Sequence, residues 1–145
     1  MQQNFEISLL DKIKTPIINK FYDLNRIKGR ANKQDDVWVV RHNSDIIAAC
    51  RVQNISGHLF LCTLFVTDKM RQKGIAKSLI RHLISSYKNT EYRDITTFSY
   101  THLTGLYLST GFNLYQTLPE PLAIMLNNYL NQGRKISAMR YFLNN

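Results

Sequence analysis

The strongest constraint on the fold is a change of hydrophobic period in the middle of the chain. Residues 59–66 are almost continuously apolar and rich in aromatic and branched side chains, which is typical of a buried strand. After a polar turn over 67–73, apolar residues recur every three to five positions, which predicts an amphipathic helix that begins near Gly74. Its apolar positions are Ile75, Ala76, Leu79, Ile80, Leu83, Ile84 and Tyr87. The sequence therefore predicts a strand, a turn and a helix in succession.

The first turn of this helix has the chemistry of an anion-binding site. A helix N-terminus presents backbone N–H groups without helical partners, together with the positive end of the helix dipole. Gly74 would let phosphate oxygens approach the backbone, and the small Ala76 would allow the same two residues later. The spacing matches neither the Walker loop nor the dinucleotide fingerprint, because both need more glycines. The glycine alone is more typical of an ordinary strand-to-helix connection.

The remaining sequence predicts an alternation of strands and helices without a repeat or a linker. Strands are expected at 5–9, 37–40, 46–52, 95–100, 112–117 and 136–143. Helices are expected from Thr15-Pro16, over 102–110, and from Pro119 to Gly133. Residues 26–36 are interpreted as an exposed basic loop around Gly29. With 145 residues, the chain has the size of one domain covering 1–145.

The two cysteines predict neither a disulfide nor a zinc site. If Ser56-Gly57 is the turn of a two-residue hairpin, Cys50 faces Thr63 across the ladder. Cys62 then lies on the opposite side of the sheet, where a bridge to Cys50 is geometrically disfavoured. No CxxC spacing or histidine cluster is present, so no metal is predicted.

The charge balance favours an anionic partner. Lys and Arg number 19 against 10 Asp and Glu, a formal net charge of +9. Nucleic acid, a membrane surface and a phosphate-rich cofactor all fit this charge, and so do lysines that only contact solvent. The start of the chain lacks the features of a signal peptide, and no segment approaches the roughly 20 apolar residues of a membrane span. We expect a cytoplasmic protein without a membrane partner.

Two segments resemble one known family. Residues 71–76 (Arg-Gln-Lys-Gly-Ile-Ala) are similar to the Q/R-x-x-G-x-G/A signature of the GCN5-related N-acetyltransferases (GNAT family). Tyr107, Gly111 and Phe112 are similar to that family's Y-x-x-x-G-F segment, at the distance downstream that the family has. The order of elements also agrees from about Val37 to the C-terminus. The resemblance implies an α/β (α+β) GNAT fold, with a single mixed, mostly antiparallel central sheet of about seven strands flanked by helices.

The resemblance also implies an acetyl-CoA site. The strand ending in Leu64, Phe65 and Val66 would bind the pantetheine arm through its backbone, and the amides of residues 72–77 would hold the pyrophosphate. Lys73 and Arg71 would add positive charge, although each would also suit a solvated turn. The expected cofactor-binding residues are Leu64, Phe65, Val66, Arg71, Gln72, Lys73, Gly74, Ile75, Ala76 and Lys77. Tyr100 stands where relatives often carry an asparagine that contacts the cofactor, so the sequence departs from the family pattern at that contact.

The resemblance places Tyr107 near the cofactor sulfur. A phenol with a pKa near 10 can protonate a departing thiolate, so Tyr107 is the expected general acid. The alternative is a core tyrosine that needs only a hydrogen-bond partner.

The general base is less well defined, because the strand 59–66 has no carboxylate where many relatives have a glutamate. The strand 95–100 has none either. His102 has a suitable ordinary pKa and is the candidate base, while water-relayed deprotonation or an acceptor that is already neutral fits equally well. Cys62 as a nucleophile has no evident activating neighbour.

Three functions compete at this point. The first is acetyl transfer from acetyl-CoA to a primary amine of an unidentified small molecule or protein, and the second is a non-catalytic acyl-CoA sensor that acts through a protein partner. The third is nucleic-acid binding, or acetylation of an RNA-linked amine, suggested by the basic loop 26–33. A neutral amine, an amino acid or an acidic molecule suits the charge better than a polyamine. The helix 119–133 would cover the acceptor cleft, form a homodimer contact, or simply pack on the sheet.

Overall fold

A seven-stranded mixed sheet forms the centre of the computed structural model, which describes residues 4–143. The strands are β1 (Phe5–Leu9), β2 (Asp36–His42), β3 (Asp45–Ile55), β4 (His58–Val66), β5 (Asp94–Tyr100), β6 (Asn113–Leu114) and β7 (Ile136–Phe142). The helices are α1 (Thr15–Leu24), α2 (Ile75–Tyr87), α3 (Thr104–Ser109) and α4 (Glu120–Asn131), with 3₁₀ turns at Lys12–Lys14, Asp68–Met70 and Thr101–Leu103. Within these residues the strand order is β1-β2-β3-β4-β5-β7-β6, and β4 and β5 form the parallel pair. The predicted fold class is confirmed.

Helices α1 and α2 cover opposite faces of the sheet. Trp38 and Val40 of β2 pack in the cluster that contains α2, whereas the alternate residues Val37 and Val39 pack in the cluster that contains α1. Because successive side chains of a strand point to opposite faces, the two helices lie on opposite sides. The amphipathic pattern that predicted α2 therefore describes its buried stripe.

The β3–β4 hairpin has the predicted two-residue turn, but its ladder contains a bulge. Ile55 pairs with His58, and both Ser56 and Gly57 have positive φ, as a type I′ turn requires. Arg51 pairs with Cys62 while Ala49 pairs with Phe65, so two residues of β4 lie opposite one residue of β3. The simple pairing of Cys50 with Thr63 is therefore wrong, because Thr63 and Leu64 together lie opposite Cys50. Both thiols are free.

Several predicted boundaries differ from the structure, and three of the differences have a local explanation. The strand 112–117 shortens to β6, and it starts after Phe112 because the Phe112 N–H donates to the Tyr107 carbonyl at 3.0 Å and so closes the end of α3. The helix 102–110 starts as the 3₁₀ turn Thr101–Leu103, and α3 begins at Thr104. Thr15 does not cap α1, since it is the first helical residue and its hydroxyl donates to the Lys12 carbonyl at 2.7 Å.

The described residues contain neither a helix that meets the requirements of a membrane span nor a cluster that meets those of a metal site. Within residues 4–143, every helix is too short or too polar to cross a membrane. In the same part of the chain, no group of three or more His, Cys, Asp or Glu side chains is arranged to hold a metal ion.

Candidate functional site

The two parallel strands separate part of the way along the sheet. β4 pairs with β5 from Leu59 opposite Ile95 to Leu61 opposite Thr97, and their register ends there. From Cys62 to Val66, the described residues of β5 give β4 no pairing partner, and the Thr63 and Val66 carbonyls accept hydrogen bonds from side chains instead. An opening between two strands with an unpaired edge suits a ligand that bonds as an extra strand.

A cavity of about 420 Å³, here called the central cavity, lies where the two strands diverge. It is lined by Ile27, Lys28, Gly29, Arg51, Gln53, Phe60, Leu61, Cys62, Thr63, Leu64, Thr97, Phe98, Tyr100, Leu103, Tyr107, Tyr129, Arg134 and Ile136. The cavity is therefore built by the α1–β2 loop, the strands β4 and β5, α3 and the end of α4. The C-terminal end of α4 thus contributes to a cavity, in addition to packing on the sheet.

The bulge in β4 is held by side chains from three other segments. Thr63 has a positive φ of 55°, and its carbonyl accepts a hydrogen bond from the Tyr22 hydroxyl at 3.0 Å. Its Oγ1 accepts a hydrogen bond from Arg51 Nε at 3.0 Å, and Arg51 Nη1 lies 2.8 Å from Asp35 Oδ2. The Thr63 side chain also packs where a Cβ on Gly29 would lie, 2.5 Å from Cγ2. Sequence reasoning missed this network, because its members are spread over residues 22–63.

A second cavity of about 340 Å³, here called the helix cavity, lies at the N-terminus of α2. It is lined by Val66, Met70, Arg71, Gln72, Gly74, Ile75, Ala76, Lys77, Leu106 and Ser109. Gly74 caps α2 with φ 76°, and a Cβ there would meet no protein atom within 4 Å. Ser78 N donates the first helical bond, to Gly74 O, so the N–H groups of residues 75–77 have no helical partner. The geometry predicted for an anion site is present here.

Arg71 is already engaged by the turn between β4 and α2. Its Nε donates to the Val66 carbonyl at 3.0 Å, and its Nη1 lies 3.1 Å from Asp68 Oδ1. The guanidinium lies 5.3 Å from the centre of the Phe65 ring. The structure therefore shows Arg71 fixing the turn, with its charge matched by Asp68.

Most of the sequence-predicted site residues meet at these two cavities. Leu64 and Tyr107 line the central cavity, whereas Val66, Arg71, Gln72, Gly74, Ile75, Ala76 and Lys77 line the helix cavity. The two cavities follow one another along β4 and α3, since neighbouring residues of each element line one or the other. Phe65 and Lys73 are outside both linings, and the Phe65 ring packs 6.1 Å from the ring of Phe21.

Tyr107 lies in the core beside the central cavity. It is 3% exposed and packs edge-on to the Phe112 ring at 5.3 Å. Burial raises the pKa of its phenol well above the ordinary value, and a hydrogen bond with the Thr97 hydroxyl lowers the pKa by a smaller amount. Tyr107 is therefore protonated at neutral pH and can donate a hydrogen bond.

The described lining of the central cavity contains no carboxylate. His102 lies in the 3₁₀ turn Thr101–Leu103, exposed, with its ring 6.3 Å from the Tyr100 ring, and it belongs to neither lining. Cys62 lines the cavity, but burial raises the pKa of its thiol, which disfavours a nucleophilic thiolate.

A mixed sheet with diverging parallel strands beside a glycine-capped helix is the arrangement that the resemblance to the GNAT family implied. The family model of the acetyltransferase (GNAT) domain matches residues 10–118. This match covers well over half of the chain, and the chain belongs to the GNAT acetyltransferase family. The resemblance seen in the two motifs is confirmed.

Solved structures share the fold at low sequence identity. One of them is N-acetylglutamate synthase from Neisseria gonorrhoeae, complexed with coenzyme A and N-acetyl-glutamate, with a TM-score of 0.74 and 14% identity. The match covers 100% of this chain and 36% of the synthase chain. A GNAT-family acetyltransferase from Staphylococcus aureus has a TM-score of 0.70 and 14% identity, covering 97% and 99% of the two chains. The ribosomal-protein-S18-alanine N-acetyltransferase from Escherichia coli has a TM-score of 0.68 and 15% identity, covering 98% and 96%. No curated protein matches the sequence.

Proposed function

We propose that the protein is an acetyl-CoA-dependent N-acetyltransferase that acetylates a primary amine of a small molecule or a protein. The observation that carries this proposal is the continuity of two features along one strand. The edge of β4 is free of β5 after Leu61, and the same strand leads into a helix N-terminus capped by Gly74. A pantetheine arm and a pyrophosphate need these two features in this order.

The residues present fit acetyl-CoA. The backbone of Leu64 to Val66 would bond the pantetheine, and the N–H groups of residues 75–77 would receive the pyrophosphate oxygens beside the open space at Gly74. Lys77, which lines the helix cavity, would add positive charge. Lys73 stays a predicted contact, since it is exposed next to Gly74.

Tyr107 is the proposed proton donor to the sulfur. Acetyl-CoA supplies the acetyl group as a thioester; a C–N bond forms, the C–S bond breaks and the sulfur needs a proton. Because the pKa of the Tyr107 phenol is raised, complete loss of its proton is unfavourable, and the Thr97 hydroxyl, which donates to the Leu61 carbonyl at 2.9 Å, would have to leave that acceptor to stabilise a phenolate. Tyr107 would therefore act first as a hydrogen-bond donor to the developing thiolate.

Deprotonation of the amine is proposed to need no carboxylate of this chain. No carboxylate belongs to the described lining of the central cavity. Relay through water or entry of the neutral amine fits this lining, and His102 stays a predicted base that would have to act from the surface.

The missing carboxylate favours one competing function, a non-catalytic acyl-CoA sensor. Turnover distinguishes the two functions. Release of free thiol from acetyl-CoA in the presence of primary amines would support the enzyme. Tight CoA binding without thiol release for any amine would support the sensor and contradict catalysis. The cytoplasmic location remains a prediction from the sequence.

A further inference from the structure

We propose that the acceptor is a small primary amine that carries a carboxylate, such as an amino acid, and that Lys28 and Arg134 bind this carboxylate. The inference rests on the proposed acetyl transfer and assigns the substrate class of its second site. Lys28, Arg51 and Arg134 line the central cavity, and within residues 4–143 no acidic residue does.

The three cations differ in whether their charge is already matched. Arg51 pairs with Asp35 at 2.8 Å, and both side chains are largely buried, at 11% and 3% exposure. Its Nη1 also donates to the Arg30 carbonyl at 2.7 Å. Arg51 therefore holds the bulge and is not the free cation of the cavity.

Lys28 and Arg134 keep an unmatched positive charge. In the part of the chain that the structure describes, neither has a carboxylate within 4.0 Å, and both are exposed at the cavity mouth. They come from different segments, the α1–β2 loop and the α4–β7 loop, so two segments bring positive charge to the cavity. A carboxylate on the acceptor would supply the missing counter-charge, and an arginine can bind it with two parallel hydrogen bonds.

Arg134 is held in place by the aromatic wall of the cavity. Its guanidinium lies 4.3 Å from the centre of the Tyr129 ring, and its backbone N–H donates to the Tyr129 carbonyl at 3.2 Å. The Tyr129 ring packs at 5.7 Å on Phe98, which packs at 4.7 Å on Phe60. A cation fixed at the end of stacked rings loses little side-chain freedom when it binds an anion. The same rings would contact an apolar part of the acceptor.

These cations are separate from the cofactor's phosphate site. Lys28 and Arg134 line the central cavity, whereas the pyrophosphate is assigned to the helix cavity, where Lys77 lies. The pyrophosphate therefore does not account for the positive charge at the central cavity. Positive charge nearby also disfavours the protonated form of a bound amine, which favours the neutral amine that attacks. A carboxylate-bearing acceptor thus fits a site without a carboxylate base.

The test compares each amino acid with its own amide. Leucine and phenylalanine, and their amides, are assayed for thiol release from acetyl-CoA at constant pH and salt. We expect kcat/KM at least about 10-fold higher for the acids, which is the order of one charge-assisted hydrogen bond. The amides have the less basic amines, so amine basicity alone would favour the amides. Equal or better use of the amides would overturn the proposal.

Variants identify the residues that read the carboxylate. Lys28→Gln and Arg134→Gln should each raise KM for the acids about 3- to 10-fold, leave KM for acetyl-CoA unchanged and hardly affect the amides. The matched control is Lys135→Gln, which removes the same charge from an exposed neighbour outside both cavities. If Lys135→Gln lowers the acid-to-amide ratio as much as Arg134→Gln does, the assignment fails.

A binding measurement separates this inference from the proposed function. N-acetyl-leucine and N-acetyl-leucinamide are titrated calorimetrically into the CoA-loaded protein, which requires no turnover. We expect the acid to bind at least about 10-fold more tightly, and the difference to shrink in Arg134→Gln. If the amides are acetylated with the same kcat/KM as the acids, the proposed acetyl transfer stands and the assignment of the carboxylate site is wrong. If no amine is acetylated, the proposed function falls, and equal binding of the two titrants would overturn the carboxylate site as well.

Discussion

Replacement of Gly74 by alanine tests the pyrophosphate site, because Gly57 offers a matched control. Both glycines have positive φ, 76° at Gly74 and 89° at Gly57, and a Cβ at either position would meet no protein atom within 4 Å. Gly74 lines the helix cavity, whereas Gly57 lies in the β3–β4 hairpin turn, outside both cavities. The two variants therefore share the backbone strain and differ in the proposed ligand contact.

The expected magnitudes follow from these geometries. A residue with a Cβ in the left-handed region costs about 1–2 kcal/mol, so both variants should lose a similar amount of unfolding free energy. In Gly74→Ala the methyl group would also occupy space at the helix N-terminus. Loss of one charge-assisted hydrogen bond to phosphate costs about 1.5–3 kcal/mol, which corresponds to about 10- to 150-fold in Kd.

Calorimetric titration with CoA, together with urea unfolding, separates the two effects. Gly74→Ala should bind CoA about 10- to 150-fold more weakly, and Gly57→Ala should bind it like the unchanged protein. Unchanged CoA affinity in Gly74→Ala would refute the role of Gly74. An equal loss of CoA affinity in the two variants would refute it as well.

Three further predictions concern the central cavity and the core. Tyr107→Phe should lower kcat in a thiol-release assay by about 100-fold, the lower end of the range for a general acid, and should hardly change the Kd of CoA. An unchanged kcat would show that Tyr107 takes no part in the chemical step. Arg51→Ala should lower the free energy of unfolding in urea by about 3–5 kcal/mol, because it leaves the buried Asp35 carboxylate without its cation. The control Arg30→Ala breaks an exposed ion pair and should lower the free energy of unfolding by less than about 1 kcal/mol. Similar losses in the two variants would contradict the proposed role of Arg51 in holding the bulge. The unfolding free energy should fall as pH rises above about 9, because the Cys50 and Cys62 thiols, and the buried phenols, have raised pKa values in the fold and ionise first in the unfolded chain. A stability that is constant up to pH 11 would contradict that burial.

Local patterns predicted the elements that depend on neighbours in sequence. The helical period after Val66 identified α2, and Ser56-Gly57 identified the β3–β4 hairpin. Gly74 was singled out because the start of the helical period and the signature over residues 71–76 are both local in sequence. Such elements depend on contacts between residues that are close in sequence, so a single sequence is enough to predict them.

The central cavity could not be predicted in the same way, because distant residues build it. The bulge at Thr63 depends on the Tyr22 hydroxyl and on Arg51, and neither partner is marked by a local pattern. The simple hairpin register therefore placed Thr63 alone opposite Cys50. Arg134 likewise reaches the cavity only because the end of α4 lies beside β5, where Tyr129 packs on Phe98.

CoA is proposed to lie along the edge of β4 that β5 leaves unpaired and to end at the N-terminus of α2. Titration of the ¹⁵N-labelled protein with CoA, followed by amide chemical shifts, tests it residue by residue. We expect the largest shifts at Leu64 to Val66 and at residues 72–77, with the hairpin around Gly57 unchanged. Saturable binding that shifts other amides and leaves these in place would contradict the proposed site, as would the absence of any shift in folded protein.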